Sequence, residues 1–353
     1  MRIRILVISG LLLVVLSLAV PFGRNLLGRA KVAEQPADIT GVKPIEGSNS
    51  QSEDINAGDG QPTFAMPLPG QKSGPDVSAS SQDAVKPPVE PVGTSPAQSD
   101  PRAAKLISEA AALMSSSPGR VIDVRTRLNE ALLLPLTAKQ QEYVKKQMSS
   151  LSETWLFSRS VFPDDPLCGS YKVQPGDHLQ TIGNRFKVPY EILKQINNIS
   201  RPESLQAGQV LKVINGPFHA IVHRSTFTLD LYLQNTFVRS FRVGLGKPGM
   251  ETPTGLWLVT PAGKMVQPTW TDKVSGRTYK STDSDYPLGS RWIALQGLEG
   301  DAVGRTGFAI HGTKDANTIG TASSQGCVRM FNGEAVLVYN LLAEGQSRVQ
   351  VLP

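Results

Sequence analysis

The sequence predicts a multidomain protein whose C-terminal part is mainly β with one packed helix. Ahead of it lie an N-terminal anchor, a disordered linker, a small α-helical segment and a compact βααβ module. Three observations favour this fold class. The chain begins with an apolar run and continues into a stretch rich in Pro, Gly and Ser. Apolar residues then recur at helical spacing within 101–160, and short strand-like segments separated by polar turns fill 217–353.

The whole chain has 353 residues and a formal net charge of +6. That length permits more than one domain, and the basic excess suits anionic surroundings such as membrane surfaces or acidic wall polymers. No arginine-rich stripe with interleaved aromatic residues appears, so the sequence argues against a nucleic-acid partner. The two cysteines, Cys168 and Cys327, are too few for a disulfide framework.

Residues 1–31 carry the strongest signal of cellular location. Arg2 and Arg4 precede an almost unbroken apolar run, which is about as long as the ~18–20 residues of a short membrane span, and Arg24 and Arg29 follow it. We expect an uncleaved anchor in the cytoplasmic membrane with the rest of the chain exported towards the wall. The alternative is a signal peptide that is cleaved, which would leave a secreted protein.

The next two segments differ sharply in composition. Residues 32–100 are rich in Pro, Gly, Ser, Gln and Asp and have few aromatic residues, so they cannot bury enough apolar surface to offset the entropy of ordering them. We predict a disordered tether there. Residues 101–160 contain three amphipathic helical patterns, with Thr137 as a plausible N-cap, and we predict a small helical spacer.

Residues 169–215 predict a compact βααβ unit. A strand at Tyr171–Val173 is followed by a Pro-Gly-Asp turn in which Asp177 can cap the first helix, and a closing strand spans Val210–Val213. The opening Tyr-x-Val-x-x-Gly-Asp, the two apolar helical patterns and the closing Leu-x-x-Gly-Gln-x-Leu together resemble a LysM domain. The resemblance implies binding to N-acetylglucosamine-containing glycans such as peptidoglycan. A LysM-like fold without that affinity is the alternative.

Residues 217–353 predict an antiparallel β-domain. Segments such as "HAIVHR", "TFTLDLYL", "GLWLV", "RWIAL" and "GFAIHG" have strand length and strand-like alternation. One helix follows, "GEAVLVYNLLAEG", with Asn332 as its expected cap, and the chain closes on the strand-like "RVQVLP".

The candidate chemistry lies between His311 and Cys327. His311 ends a predicted strand, and Cys327 follows the small residues "SSQG", whose backbone N–H groups could face a developing oxyanion. A free thiol is mostly protonated at neutral pH and needs a base, which the imidazole could supply across the intervening loop. Taken alone, the pair is equally compatible with a buried cysteine and a structural histidine.

The surrounding residues resemble the catalytic domain of YkuD-type L,D-transpeptidases. That signature comprises a His-Gly at a strand end, an Ile-Gly about eight residues later, and Ser-His-Gly-Cys followed by a hydrophobic residue and Arg or Asn. This sequence has His311-Gly312, Ile319-Gly320 and Ser324-Gln325-Gly326-Cys327-Val328-Arg329. Upstream, "FRVGLGKPGMETPTGLWLV" and "YPLGSRWIAL" also resemble the family pattern. Gln325 departs from it, because the family usually has a second histidine there.

The resemblance implies a role for each matching position, with no metal and no organic cofactor. Cys327 would be the nucleophile, a residue that carbapenems acylate in this family, and His311 its base, oriented by the carbonyl of Gly312. Other implied roles are an oxyanion hole formed by the amides of Gln325, Gly326 and Cys327, and substrate binding by Ser324 and Arg329.

The expected function is therefore an exported peptidoglycan L,D-transpeptidase, which cross-links stem peptides through a cysteine thioester. Its partners would be the glycan strands and stem peptides of the wall and, through the N-terminal segment, the cytoplasmic membrane. Two alternatives remain open: an L,D-carboxypeptidase that uses water as acceptor, and a non-catalytic LysM wall-binding protein.

Several other reactive or aromatic residues are expected to have ordinary roles. His219 and His223 lack the companions of a metal site, and Cys168 fits a free or partly buried thiol. Trp270, Tyr286 and Trp292 fit core packing and substrate contact equally well.

Overall fold

The computed structural model describes residues 99–353. The expected anchor at 1–31 and nearly all of the expected linker at 32–100 lie outside the described residues. Within 99–353, no helix combines the length and apolarity needed to cross a membrane.

The first three helices occupy the predicted helical segment: α1 (Pro101–Ser116), α2 (Val121–Leu132) and α3 (Ala138–Trp155). The prediction that Thr137 caps a helix is confirmed. Its side chain accepts a hydrogen bond from the backbone N–H of Gln140, whose own side chain accepts from the backbone N–H of Thr137. This reciprocal capping satisfies two donors that would otherwise be unpaired at the start of α3.

The βααβ module follows the helices. Its elements are β1 (Cys168–Lys172), α4 (Leu179–Arg185), α5 (Tyr190–Ile196) and β2 (Val210–Ile214). The two strands pair antiparallel, with Tyr171 opposite Leu211, so β1 begins three residues earlier than predicted. The helices close over the strands with fully buried apolar side chains, namely Leu179, Ile182, Ile192, Leu193 and Leu211.

The expected capping role of Asp177 is wrong. Helix α4 begins after His178, and the Asp177 carboxylate instead accepts hydrogen bonds from the Tyr171 hydroxyl at 2.7 Å and from the backbone N–H of Gln174 at 2.8 Å. The Asp177 carboxylate therefore links the turn to β1 and accepts no hydrogen bond from the first backbone N–H groups of α4.

The C-terminal region is built on one eight-stranded sheet. Its elements, in chain order, are β3 (Phe218–His223), β4 (Thr228–Leu233), β5 (Thr236–Arg242), β6 (Leu245–Gly246), β7 (Gly255–Met265), β8 (Trp270–Thr271), β9 (Thr278–Tyr279), β10 (Trp292–Gly297), β11 (Phe308–His311), β12 (Ala322–Ser324), β13 (Val328–Arg329), α6 (Asn332–Leu341) and β14 (Arg348–Leu352).

The strand order in the sheet is β13-β11-β10-β7-β14-β3-β4-β5. The mainly-β architecture with one packed helix and a closing strand is confirmed, but the sheet is not wholly antiparallel as predicted. Strand β14 pairs parallel to β3, and β13 pairs parallel to β11. The parallel pairing of β13 with β11 arises because the long loop after β11 carries the chain back to the starting end of that strand before β13 begins.

The helical segment covers the β5 edge of the sheet. Phe237 of β5 is fully buried against Val144 and Met148 of α3. The side chain of Asn129 accepts a hydrogen bond from the Phe237 N–H at 3.0 Å and donates to the carbonyl of Asn235 at 3.3 Å. An uncovered edge strand offers unpaired backbone groups to other chains, so these contacts protect the sheet from edge-to-edge association.

A buried ion pair joins the helical segment to the start of the βααβ module. Arg125 of α2 contacts the Asp165 carboxylate at 2.9 Å, and the two side chains are 4% and 0% exposed. The Arg125 guanidinium also lies 4.4 Å from the centre of the Trp155 ring. Nearby, the Lys212 ammonium group of β2 donates to the carbonyl of Trp155 at 2.6 Å, so the two regions share a polar network at their contact.

Replacing Arg125 with methionine should lower the free energy of unfolding by ~3–5 kcal/mol, because the Asp165 carboxylate would stay buried without its counter-ion. Arg120→Met is the matched control, since Arg120 forms an exposed pair with Asp123 and exposed pairs contribute little. Urea unfolding of both variants measures the difference. Equal losses of unfolding free energy in the two variants would show that the buried pair stabilises the fold no more than the exposed pair does.

Candidate active site

The register of two parallel strands places His311 and Cys327 on the same face of the sheet. Ile310 pairs with Val328 and His311 with Arg329, and both Ile310 and Val328 point into the core. Because side chains alternate along a strand, His311 and Arg329 lie on the opposite face, where Cys327, which directly precedes β13, packs against Trp292 and Ala309. The structure thus brings together the three side chains with the most reactive chemistry in the predicted site.

The His311 ring is buried and held on two sides. Its Nδ1 atom lies 2.5 Å from the carbonyl oxygen of Gly312, the contact expected to orient it. The Trp292 ring stacks on the imidazole, with ring centres 5.6 Å apart and an interplanar angle of 21°. Burial lowers the pKa of His311 to about 4, an effect that the nearby Arg329 charge reinforces and hydrogen bonding to the Gly312 and Leu288 backbone opposes.

The Cys327 thiol is half-buried, and burial raises its pKa. A backbone contact with Ala309 and the charges of Arg329 and Lys273 act in the opposite direction. Burial thus favours the neutral form of both the thiol and the imidazole. Among the described residues, no hydrogen bond joins the thiol to the His311 ring. Catalytic hydrogen bonds in ligand-free enzymes are often long and tighten only with substrate bound.

A network of short hydrogen bonds fixes the turn that carries Cys327. The Ser324 hydroxyl donates to the carbonyl of Cys327 at 2.7 Å and accepts from the N–H of Gly326 at 3.1 Å. The Thr252 hydroxyl donates to the carbonyl of Gly326 at 2.9 Å. Gly326 has φ of +108°, and a Cβ there would lie 2.6 Å from the Phe308 ring, so the turn requires glycine.

These contacts bear on two residues of the predicted site. Ser324 is 1% exposed, and its hydroxyl makes both of its hydrogen bonds within the turn. The Gly326 N–H, one of three amides expected in the oxyanion hole, already donates to Ser324. The amides of Gln325 and Cys327 remain as the candidate donors.

Ser324→Ala should destabilise the turn by ~1–3 kcal/mol, because the Gly326 N–H and the Cys327 carbonyl would lose their shared partner in a buried place. We expect slower acylation of Cys327 as the turn loosens. Ser323→Ala, an exposed neighbour, is the matched control. Thermal unfolding and the rate of carbapenem adduct formation are the two readouts, and indistinguishable variants would contradict this role.

Asn332 braces the loop that follows His311. Its side-chain carbonyl accepts from the N–H of Ser290 at 3.0 Å, and its side-chain NH₂ donates to the carbonyl of Thr313 at 2.9 Å. The prediction that Asn332 caps α6 is wrong, because Phe331 is the N-cap and no side chain caps that helix. A Cβ on Gly312 would lie 2.2 Å from the Asn332 carboxamide oxygen, so this position also requires glycine.

Aromatic side chains form one wall beside the thiol. Cys327 packs with a cluster that contains Tyr286, Leu288, Trp292 and Ala309. Trp270 and Tyr279, from the β8–β9 hairpin, stack at 6.0 Å and pack against the same cluster. The three aromatic residues singled out in the sequence therefore all lie in the cluster that Cys327 joins.

Gln325 and Arg329, on either side of Gly326 and Cys327, differ in exposure. The Gln325 side chain is exposed, and its NH₂ group lies 3.4 Å from both oxygens of Asp272, a hairpin residue that the sequence analysis did not identify. Arg329 is half-buried on the same face as the thiol, and burial lowers its pKa. Among residues 99–353 it pairs with no carboxylate within ion-pair distance.

His219, His223 and the second cysteine have structural contacts. His219 accepts a hydrogen bond from the backbone N–H of Arg348, and burial lowers its pKa to about 4. His223 contacts the buried carboxylate of Asp230 at 3.2 Å. Cys168 is a buried free thiol whose pKa is raised by burial to about 12. In the described part of the chain, no three His, Cys, Asp or Glu side chains are grouped to hold a metal ion.

Comparison with known proteins confirms both resemblances. A family model for the YkuD L,D-transpeptidase catalytic domain matches residues 217–351, and a LysM model matches residues 171–213. The putative L,D-transpeptidase YqjB of Bacillus subtilis is 33% identical over 132 residues, which are 37% of this chain and 69% of that protein. The putative L,D-transpeptidase YkuD of Bacillus licheniformis is 25% identical over 52% of this chain and 98% of its own length.

Among solved structures, an L,D-transpeptidase from Mycobacterium smegmatis matches 41% of this chain and 64% of its own, at 16% identity and a TM-score of 0.30. The match to YqjB, together with the two family models, decides the classification. The chain therefore belongs to the YkuD-type L,D-transpeptidase family and carries a LysM domain directly before its catalytic domain.

Proposed function

We propose that this protein cross-links peptidoglycan stem peptides through a thioester on Cys327. The observation that carries this proposal is that Cys327 packs with the cluster containing Trp292, whose ring stacks on His311, while the half-buried Arg329 follows on the paired strand β13. Family membership supports the L,D-transpeptidase role as a whole, and the assignment to individual residues rests on this geometry.

In the first step, His311 accepts the thiol proton and the Cys327 sulfur attacks the carbonyl carbon that joins an L-centre to the terminal D-residue. The amides of Gln325 and Cys327 stabilise the developing oxyanion. The C–N bond then breaks, the proton passes from the imidazole to the departing amine, and a thioester remains. A neutral imidazole suits this role, because a protonated ring could not accept the proton.

In the second step, a side-chain amine of a neighbouring stem attacks the thioester carbonyl. A new amide bond forms, the C–S bond breaks, and the proton lost by the amine returns to the thiol through His311. In this proposal Arg329 holds a carboxylate of the substrate. Ser324 holds the turn through its hydrogen bonds to Gly326 and Cys327, so its role is indirect.

The LysM domain points to association with the cell wall, where the substrate is found. Tethering to the cytoplasmic membrane through residues 1–31 remains a proposal based on their apolar sequence. A reporter enzyme that is active only outside the cytoplasm, fused after residue 100, should be active in intact cells. A silent fusion would contradict export.

Incubating the purified protein with disaccharide-tetrapeptide muropeptides tests the reaction. A transpeptidase yields a dimer whose mass equals two substrates less one D-amino acid, whereas a carboxypeptidase yields a tripeptide and free D-amino acid. Mass spectrometry separates the two outcomes. Unchanged substrate would reject both reactions and favour a wall-binding role alone.

A further inference from the structure

The β8–β9 hairpin places a lysine beside the turn that carries Cys327. The Lys273 ammonium lies against Gly307, the residue that directly precedes β11. Two residues further along the chain, Ala309 packs with Cys327, and its backbone contacts the thiol. Because two residues of a strand span only about 7 Å, the charge of Lys273 lies close to any peptide that is bound at the thiol.

Lys273 has no partner of opposite charge within the protein. It is exposed, and among residues 99–353 no carboxylate lies within ion-pair distance of it. The carboxylate of its neighbour Asp272 accepts from a backbone N–H of the hairpin at 2.7 Å and from the Gln325 carboxamide at 3.4 Å. Arg277, on the same hairpin, is paired with Asp285 at 2.8 Å. Lys273 therefore remains available for an anion from outside the protein.

Arg329 lies at the opposite end of β11 from Lys273. It pairs with His311, the last residue of that strand, whereas Lys273 lies at the start of the strand. The thiol lies between these ends, where it packs with Ala309. From Gly307 to His311 the strand rises roughly 13 Å, about the length of an extended tetrapeptide. A tetrapeptide stem lying along β11 would therefore have one cation near each end and the attacked carbonyl between them.

We propose that Lys273 is a specificity-determining residue, which binds a carboxylate on the stem residue that precedes the one with the attacked carbonyl. The proposal rests on the proposed function, in which Arg329 holds a carboxylate of the substrate. Since the two cations lie on opposite sides of the thiol, they hold two different carboxylates: Arg329 holds the terminal one and Lys273 the preceding one. The preferred substrate is therefore a stem with a free carboxylate on its second residue. A carboxamide there has no charge and binds an ammonium group less strongly.

The test measures kcat/KM for release of the terminal D-amino acid from two soluble tetrapeptides. These peptides differ only at the second residue, which is D-isoglutamate in one and D-isoglutamine in the other. We expect the unmodified full-length protein to prefer the D-isoglutamate peptide by about three- to tenfold, between the effect of an exposed ion pair and that of a charged hydrogen bond. Lys273→Met should remove this preference by slowing the reaction of the D-isoglutamate peptide alone.

Two further variants keep the result specific to the charge at this position. Lys273→Arg retains a cation and should retain the preference. Lys280→Met removes an exposed lysine just after β9 and should change neither rate. A preference that survived in Lys273→Met would overturn the proposal. An equal loss for both peptides in that variant would also overturn it, because Lys273 would then act through the thiol and not on the substrate.

The unmodified protein separates this proposal from the proposed function. If it releases the D-amino acid from neither peptide and forms no carbapenem adduct, the proposed function fails. Equal release from both peptides would leave the proposed function standing and would overturn the role of Lys273.

Discussion

Cys327→Ser should abolish both covalent capture of a carbapenem and release of the terminal D-amino acid from a tetrapeptide stem. A serine hydroxyl remains protonated to far higher pH than a thiol, so the same neutral imidazole cannot generate a comparable nucleophile. The substitution is nearly isosteric in a half-buried turn, so the fold should persist. Intact-protein mass spectrometry should show one adduct on the unmodified protein and none on the variant.

Cys168→Ser is the matched control for that experiment. Cys168 is buried in β1, and its raised pKa leaves almost no thiolate at neutral pH. We expect the single adduct to form at an unchanged rate in this variant. An adduct that disappeared with Cys168, or persisted in Cys327→Ser, would show that the nucleophile has been assigned to the wrong residue.

His311→Ala should lower the rate of acylation by ~10²–10⁴, the usual contribution of general-base assistance. The thiol would remain, but its pKa is raised by burial, so few molecules would carry a thiolate at neutral pH. Some activity should survive through that minor fraction. Stopped-flow acylation by imipenem measures the loss, and His223→Gln, on a strand far along the sheet, is the matched control.

The pH dependence gives a second signature of the His311 assignment. Because burial lowers the pKa of this imidazole to about 4, the ring stays a competent base as pH falls through 6.5, and the rate should decline only near pH 4. In His311→Ala the rate should instead rise about tenfold per pH unit until the thiol ionises. An acid limb near pH 6.5 in the unmodified protein would contradict a buried, neutral base.

Local pattern was enough to predict much of the architecture. Strand length and alternation indicated β11, and the Thr137 capping signal marked the start of α3. Each of these features depends on residues close together in the sequence, so a short sequence pattern predicts it.

Other features depend on partners that are distant in the sequence. Asn332 resembles a helix cap locally, yet its side chain bonds to loops on either side of the active site. The contact between Gln325 and Asp272 needs the β8–β9 hairpin to fold over the turn. The parallel pairing of β13 with β11 needs the intervening loop to double back. No periodicity or short motif encodes such contacts.

The hydrophobic core has a mechanical consequence. Buried side chains of the LysM domain, such as Leu193 and Val213, belong to the same packed cluster as Phe218 and Val338 of the catalytic domain. Densely packed interiors resist deformation, so the two parts should move as one body. We therefore expect the distance between the LysM domain and the Cys327 sulfur to be fixed by the packed core. Stretching of the surrounding cell wall would then move both together.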